Sequence, residues 1–191
     1  MNVTAVTLVI VTNEINWLLL LVQVPSEPSR HRVAVWRQLR KTGAVPVISG
    51  AWALPNAPQF SEGIAKAKEL CRSAGGTFAV LNVEGEDEQS QSVLETAFRD
   101  ARSDEWKEFL ADCLKFEAEI AKEISIEKFT FAELEEEEQS LERLRRWFRD
   151  LKKRDALQLP AAEQAQKALN SCIDSLEAYA QSVYSAQNGG E

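Results

Sequence analysis

The sequence predicts an α+β fold, in which a small antiparallel sheet precedes a helical region. Composition changes near residue 85 of the 191, since five of the six prolines and six of the eight glycines lie at or before it. After it, apolar residues recur at spacings of three and four, which is typical of amphipathic helices. Before it, strand-like and helix-like segments follow the order β-α-β-β-α-β, which is that of the ferredoxin-like fold.

Four strands are predicted in the first part, and the first of them is expected at the centre of the sheet. Their approximate positions are 16–24, 44–48, 51–55 and 77–83. The first strand contains the run WLLLLVQV, and a continuous apolar run of this length is typical of a buried strand. Ser49 and Gly50 form a turn that joins the second and third strands into a hairpin.

Two helices are predicted between the strands. The first runs from about residue 30 to 42 and ends at Gly43, because glycine readily adopts the left-handed conformation that closes a helix. The second runs from about 58 to 74, before Gly75 and Gly76. We therefore expect a four-stranded sheet with two helices on one face.

Three long helices are predicted in the second part, each with one apolar stripe. The stripes consist of Trp106, Phe109, Cys113, Phe116 and Ile120, then Leu134, Leu141, Leu144, Phe148 and Leu151, and finally Ala165, Leu169, Cys172, Leu176 and Val183. The breaks at 125–130 and 158–160 are short, and short connections favour an antiparallel three-helix assembly.

The predicted domains are an N-terminal extension (1–13), a ferredoxin-like domain (14–88) and a helical domain (89–188), with the polar segment 85–92 at the boundary. The extension is expected to be either an extra strand or loosely ordered. No Lys or Arg precedes its apolar run, so a signal peptide is not expected. The interruption at 12–14 leaves pieces too short for a membrane span, so we expect a soluble, cytoplasmic protein.

The sequence offers little chemistry for catalysis or metal binding. His31 is the single histidine and lies in a basic segment. The three cysteines have no C-x-x-C spacing, which argues against a zinc site or a disulfide framework and favours a reducing compartment. Glu133 and residues 135–138 lie in the first turns of a helix, where acids suit the dipole, and we expect a solvated face. We therefore expect no enzyme, no metal site and no cofactor.

One segment, SRHRVAVWRQLRKTG (29–43), is free of acidic residues although the chain carries a net charge of −8. At about 100° per residue, Arg30, Arg37 and Lys41 share one helix arc, with Arg40 beside it. These four are candidate DNA-binding residues, because clustered positive charge is the electrostatic footprint of phosphate binding. A solvated helix face is the alternative interpretation.

The other side of this helix is apolar. Val35, Trp36 and Leu39 are expected to pack on the sheet, and Trp36→Ala is expected to cost about 3–5 kcal/mol, as for other buried aromatic residues. Arg32 falls on the same arc, between Leu39 and Trp36. It either extends outward to water or pairs with a carboxylate of the helical region, and both interpretations remain open.

A second basic segment, LERLRRWFRDLKKR (141–154), ends the second long helix. Its candidate DNA-binding residues are Arg145, Arg146, Arg149, Lys152 and Lys153. Bases near a helix C-terminus also suit the macrodipole, which is a structural explanation for the same pattern. Trp147 lies at the edge of the apolar stripe, where packing at the edge of the core is favoured over stacking on a nucleic-acid base.

Several stretches resemble a known family. WLLLLVQVPSEPSRHRVAVWRQLRKTGAV and GAWALP are similar to the N-terminal domain of the ChrB family of chromate resistance proteins, and KFTFAELEEEEQSLERLRRW is similar to the helical part of that domain. The resemblance extends from about residue 14 over most of the chain. It implies a regulator of chromate resistance, in a family of chromate-responsive transcription factors whose longer members continue into a second domain.

A more distant likeness is to the ferredoxin-like domain of PaaX-type transcriptional regulators. It rests on Arg37, Arg40, Gly43, Gly50 and Trp52. Gly50 and Trp52 also have structural explanations, as a turn glycine and a half-buried aromatic residue in a strand.

We therefore predict a regulatory protein that binds double-stranded DNA through its two basic segments. The alternative is a protein–protein interaction module, in which the basic face docks an acidic partner or another copy of the chain. A ferredoxin-like sheet often leaves an edge exposed, which allows a homodimer.

Overall fold

The computed structural model describes residues 15–188, so the predicted N-terminal extension lies outside the described residues. The elements are β1 (Trp17–Gln23), α1 (Ser29–Thr42), β2 (Val45–Ile48), β3 (Ala51–Pro55), a 3₁₀ turn (Pro58–Phe60), α2 (Ser61–Ser73), β4 (Thr77–Val83), α3 (Glu88–Ser125), α4 (Phe131–Arg154) and α5 (Ala161–Asn188). The predicted α+β class and the β-α-β-β-α-β order followed by three helices are confirmed.

The four strands form one antiparallel sheet in the order β2-β3-β1-β4. β1 therefore lies between two neighbours, as its apolar run predicts: Leu20 faces Trp52 of β3 on one side and Val80 of β4 on the other. β2 and β4 are the two edge strands.

The first hydrophobic core lies around this sheet. Its fully buried members include Leu20, Leu54, Phe60 and Cys71. α1 and α2 pack on each other closely at Gly63, where an added Cβ would overlap the side chain of Thr42. Gly43 ends α1 with a φ of +100°, a conformation that favours glycine.

The second core lies between the three long helices, which all contact one another. All fifteen residues of the predicted stripes are buried in it. Tyr179 also belongs to this core, and its hydroxyl donates a hydrogen bond to the Lys128 carbonyl at 2.6 Å. Three amphipathic stripes facing one another remove their apolar surface from water, which accounts for the assembly.

α3 takes part in both cores. It is 38 residues long, or about 57 Å at 1.5 Å per residue. Near its start, Phe98 is fully buried and meets Trp17 of β1 edge to face, with 5.8 Å between ring centroids. The polar segment 85–92 is held by hydrogen bonds. The Asp87 side chain caps α3, and the Gln91 side chain accepts a hydrogen bond from the Gly85 amide and donates one to the Ile15 carbonyl.

The prediction that Trp36 is largely buried is wrong, because 48% of this residue is exposed. α1 buries Val35 and Leu39, as predicted, and Thr42 in place of Trp36. The helix has two neighbours, the sheet and α2. Because α2 packs closely against Thr42, the buried side of α1 includes Thr42 and ends before Trp36. Trp36, at the opposite border of the arc, is left partly in solvent, and a large cavity cost for Trp36→Ala no longer follows.

Within residues 15–188, none of the helices has the length and apolar character needed to cross a membrane.

Candidate nucleic-acid interface

α1 presents its candidate DNA-binding residues to solvent. Arg30, Arg37, Arg40 and Lys41 are all exposed. The helix carries no acid in its first turn, and Arg40 and Lys41 stand in its last turn, where positive charge suits the partial negative charge of the helix end. The cationic face is therefore continuous to the C-terminal end of α1.

The last turns of α4 carry the second set. Arg146, Arg149, Lys152 and Lys153 are exposed, and Arg145 is half-buried. One of them is already paired within the helix, since Arg149 Nη2 lies 3.2 Å from Glu142 Oε1. The Lys152 ammonium lies 5.8 Å from the centroid of the Phe148 ring, which keeps it beside the core.

The structure brings the two basic segments together at one point. Lys41 of α1 and Lys153 of α4 line the same small cavity, of about 250 Å³. Lys66 of α2 and Arg154 line it as well, against the carboxylates of Glu62 and Asp150. Sequence reasoning missed Lys66, because an isolated lysine on an amphipathic helix carries no signal of what lies beside it.

We call the following set of residues the basic surface. It comprises Arg30, Arg37, Arg40 and Lys41 of α1, Lys66 of α2, and Lys152, Lys153 and Arg154 of α4. Arg145, Arg146 and Arg149, which lie about one to two turns before Lys153 along α4, remain candidate DNA-binding residues beside this set. Arg30 stands about three turns from Lys41 and forms the far end of the surface.

A buried arginine holds the ends of α1 and α4 in place. Arg102 of α3 donates a hydrogen bond from Nη1 to the Gly43 carbonyl at 3.0 Å, directly after α1. Its Nη2 donates to Glu105 Oε1 at 3.2 Å, and the other oxygen of Glu105 lies 3.6 Å from Arg154 Nε. One carboxylate of α3 therefore contacts the arginine beside α1 and the arginine that ends α4.

Burial lowers the pKa of Arg102, and the Glu105 carboxylate works against this by stabilising the charge. Next to this pair, Asp155 Oδ2 accepts hydrogen bonds from Trp106 Nε1 and from the Leu159 amide, both at 3.0 Å. These contacts connect the C-terminal ends of α1 and α4 through α3. The sequence signal for Arg102 was an arginine one turn from Phe98 and from Trp106, inside an apolar stripe.

Comparison with known proteins gives the family. A family model described as "Protein ChrB, N-terminal" matches residues 32–190. The chain belongs to the ChrB N-terminal family. It is also 30% identical over 99 residues to Protein ChrB of Cupriavidus metallidurans, a match that covers 52% of this chain and 30% of that relative. The chromate-resistance family that the sequence resemblance indicated is therefore confirmed.

The match to the ChrB N-terminal family starts inside α1, at Arg32. Arg37, Arg40 and Lys41 lie within the matched region, as do Lys66 and the α4 residues of the basic surface. Arg30 and the whole of β1 precede it. The convergence of α1 and α4 thus lies in the part of the chain that the family model covers.

Trp147 packs at the edge of the helical core. It is half-buried and meets Phe109 edge to face, with 5.3 Å between ring centroids. This agrees with the favoured interpretation of Trp147 as an edge-of-core residue.

The glutamate run at the start of α4 is not a uniformly solvated face. Glu137 is only 6% exposed, and burial raises its pKa, with Glu119 adding to the effect. Glu133 is half-buried and pairs with Lys128 at 2.7 Å. No group of three or more potential metal-ligating side chains occurs among residues 15–188. The cysteines are free and buried.

Proposed function

We propose that this chain is a non-enzymatic regulatory protein of chromate resistance that binds double-stranded DNA through the basic surface. The observation that supports this is the shared cavity of Lys41 and Lys153, which come from segments more than a hundred residues apart. Positive charge gathered on one surface of a protein with net charge −8 is what phosphate binding requires.

The expected binding is electrostatic in its main part. Each lysine or arginine that meets a phosphate releases condensed counterions, so affinity falls as salt rises. The acidic remainder of the chain repels DNA elsewhere and restricts the duplex to the basic surface. We call the place where the C-terminal ends of α1 and α4 converge, at Lys41 and Lys153, the junction. Arg37 and Lys41 on α1 and Lys153 on α4 provide contacts on both sides of it.

The test is a titration of a fluorescently labelled duplex, followed by anisotropy at several salt concentrations. With three to four phosphates neutralised per protomer, log K against log salt is expected to have a slope of about −3 to −4. The triple variant Arg30→Glu, Arg37→Glu and Lys41→Glu should abolish binding and keep its circular-dichroism spectrum, because these side chains are exposed.

A matched control carries the same change in charge outside the basic surface. Lys68→Glu, Lys107→Glu and Lys115→Glu alter three exposed lysines and should leave most of the binding intact. Unchanged affinity and salt slope in the α1 triple variant would exclude α1 as the DNA contact. The double variant Lys66→Glu and Lys153→Glu then tests the junction by itself.

The second candidate is an interaction module that docks another copy of the chain or an acidic partner. Edge strand β4 favours it, because Val80 and Leu81 are 39% and 43% exposed on a seven-residue strand that has one side unpaired within residues 15–188. Sedimentation equilibrium separates the two candidates when combined with the titration. A dimer without duplex binding at low salt favours the module, and a dimer that binds DNA roughly doubles the salt slope.

A further inference from the structure

A groove of about 660 Å³ lies between α1 and the sheet, next to the turn between β2 and β3. Its lining is largely apolar, with large side chains from three elements: Leu21 of β1, Trp36 and Leu39 of α1, and Trp52 of β3. Among the described residues that line the groove, Arg32 is the one with a charged side chain.

Arg32, Trp36 and Arg40 form a row along the border of α1. They are spaced by four residues, so they lie one above the other on the helix surface. The Arg40 guanidinium lies over the Trp36 indole, 5.3 Å from the ring centroid. Arg32 is exposed and makes no ion pair with another residue of the 15–188 region, so its guanidinium can take an anion at the groove.

Several large apolar side chains at the groove are exposed to solvent. Leu21 and Trp36 are close to half exposed, and Ile48 beside them is 71% exposed. Contiguous apolar surface rimmed by polar groups marks a binding site more often than a random surface feature. The volume also lies within the range of roughly 300–1,000 Å³ that is usual for small-molecule sites.

We propose that this groove binds a small amphipathic anion, whose apolar body packs on Trp36 and Trp52 and whose carboxylate or equivalent head pairs with Arg32. Guanidinium and carboxylate match in geometry, because two parallel N–H groups can donate to two oxygens. The described residues that line the groove include no carboxylate, which disfavours a cationic ligand. The groove lies on the other side of α1 from Arg30, Arg37 and Lys41, and Arg40, which lies over Trp36, stands between the groove and those three residues.

The probes are three compounds with one skeleton and different charge: 4-phenylbutyrate, 4-phenylbutyramide and 4-phenylbutylamine. Binding is followed on the whole chain without DNA, through the indole N–H signals of Trp36 and Trp52 in ¹H–¹⁵N NMR spectra. The expected order of affinity is carboxylate first, amide second and amine last, with saturation by the carboxylate.

Two variants and one control separate the charge from the apolar contact. Arg32→Gln should weaken the carboxylate about tenfold and leave the amide unchanged, since a charge-assisted hydrogen bond is lost. Trp36→Ala should weaken all three probes. Arg37→Gln removes an equal charge from the other arc of α1 and should change none of them.

Four results would overturn the proposal. Equal affinity for the three probes would show that Arg32 does not select an anion. No saturable shift at the two indoles, or an unchanged preference in Arg32→Gln, would show that the groove is not the site. Groove signals that change with protein concentration alone would show that a second copy occupies it. Since DNA is absent throughout, none of these outcomes depends on the proposed DNA binding.

Discussion

Single residues on α1 show how burial is decided at the border of a helix face. Val35 and Leu39 are almost completely buried, whereas Trp36, next to them on the helical projection, is half exposed. Arg32, on the same border, extends to solvent at the groove, which answers the alternatives that the sequence left open. The indole is covered in part by the Arg40 guanidinium, a cation–π contact worth about 0.5–1 kcal/mol at exposed sites.

Glu137 gives a prediction at the residue scale. Its pKa is raised in the folded state, so the folded protein binds a proton more strongly than the unfolded chain. The stabilising contribution is complete below the ordinary glutamate pKa of about 4.3 and is lost as pH rises through the raised value. Glu137→Gln should therefore raise Tm by roughly 2–4 °C at pH 7–8.

The same substitution should give a smaller gain near pH 4, because the raised pKa favours the protonated form of Glu137 in the folded parent as the pH falls. Thermal unfolding by circular dichroism at the two pH values measures this. Glu138→Gln, an exposed neighbour, is the matched control and should change Tm little at either pH. A gain in Tm that is equal at both pH values would contradict the assignment of a buried, titrating carboxyl.

At the scale of elements, the contact between α1 and α2 determines which face of α1 is buried. Gly63 lets the Thr42 side chain approach the α2 backbone, and Gln38 Nε2 donates a hydrogen bond to Thr42 Oγ1 at 3.3 Å. This contact turns α1 about its axis, directs Trp36 to the groove and leaves Arg37 and Lys41 in solvent. The DNA-binding candidates are thus positioned by a helix pair rather than by the sheet alone.

Gly63→Ala tests this helix contact. On an isolated helix the change stabilises, since alanine is the better helix former by about 1 kcal/mol. Here the new Cβ overlaps Thr42, and we expect a net destabilisation of about 1–3 kcal/mol, as for other overpacked sites. Urea unfolding measures it, and adding Thr42→Ala should recover part of the loss, because it removes Oγ1 and Cγ2 and leaves the Cβ of residue 42 at 2.9 Å from the new atom. Destabilisation that Thr42→Ala does not relieve would place the strain elsewhere.

At the scale of the whole molecule, α3 joins the two cores and carries the buried ion pair that orders the basic surface. Phe98 belongs to the sheet core and Trp106 to the helical core, with Arg102 one turn from each. The side chain of Arg102 is only 4% exposed, and its partners are the end of α1 and a carboxylate shared with Arg154. Arg102 is therefore one of the contacts that connect the two basic segments.

Arg102→Met should destabilise the protein by about 3–5 kcal/mol, because it leaves the Gly43 carbonyl without its partner and the Glu105 carboxylate with only the longer contact to Arg154. Arg99→Met is the matched control on the same helix. The Arg99 side chain is 47% exposed and pairs with Glu95 at the surface, so its loss should cost less than about 1 kcal/mol. Urea midpoints compare the two, and equal costs would show that Arg102 does not hold the junction together.

The sequence by itself determined the elements and their order. The continuous apolar run predicted the central strand β1, and the spacing of residues such as Phe109 and Leu169 predicted the helical core. These signals are local, since periods of 2 and 3.6 residues follow from backbone geometry. The two basic segments could likewise be read from composition, because charge is visible without any contact.

Only the tertiary structure decided how these elements are turned and joined. Trp36 was misplaced because a helical period gives the direction of a face, whereas the neighbours that cover its borders come from distant segments. Glu137 lies on the apolar stripe, three residues after Leu134 and four before Leu141, and it was misplaced because its charge suggested a solvated position. For the same reason no local pattern shows that Lys66 and Lys153 meet Lys41, or that Arg102 joins α1 to α4. Close packing sets the rotation of α1, and that rotation decides which charges remain in water and which apolar side chains line the groove.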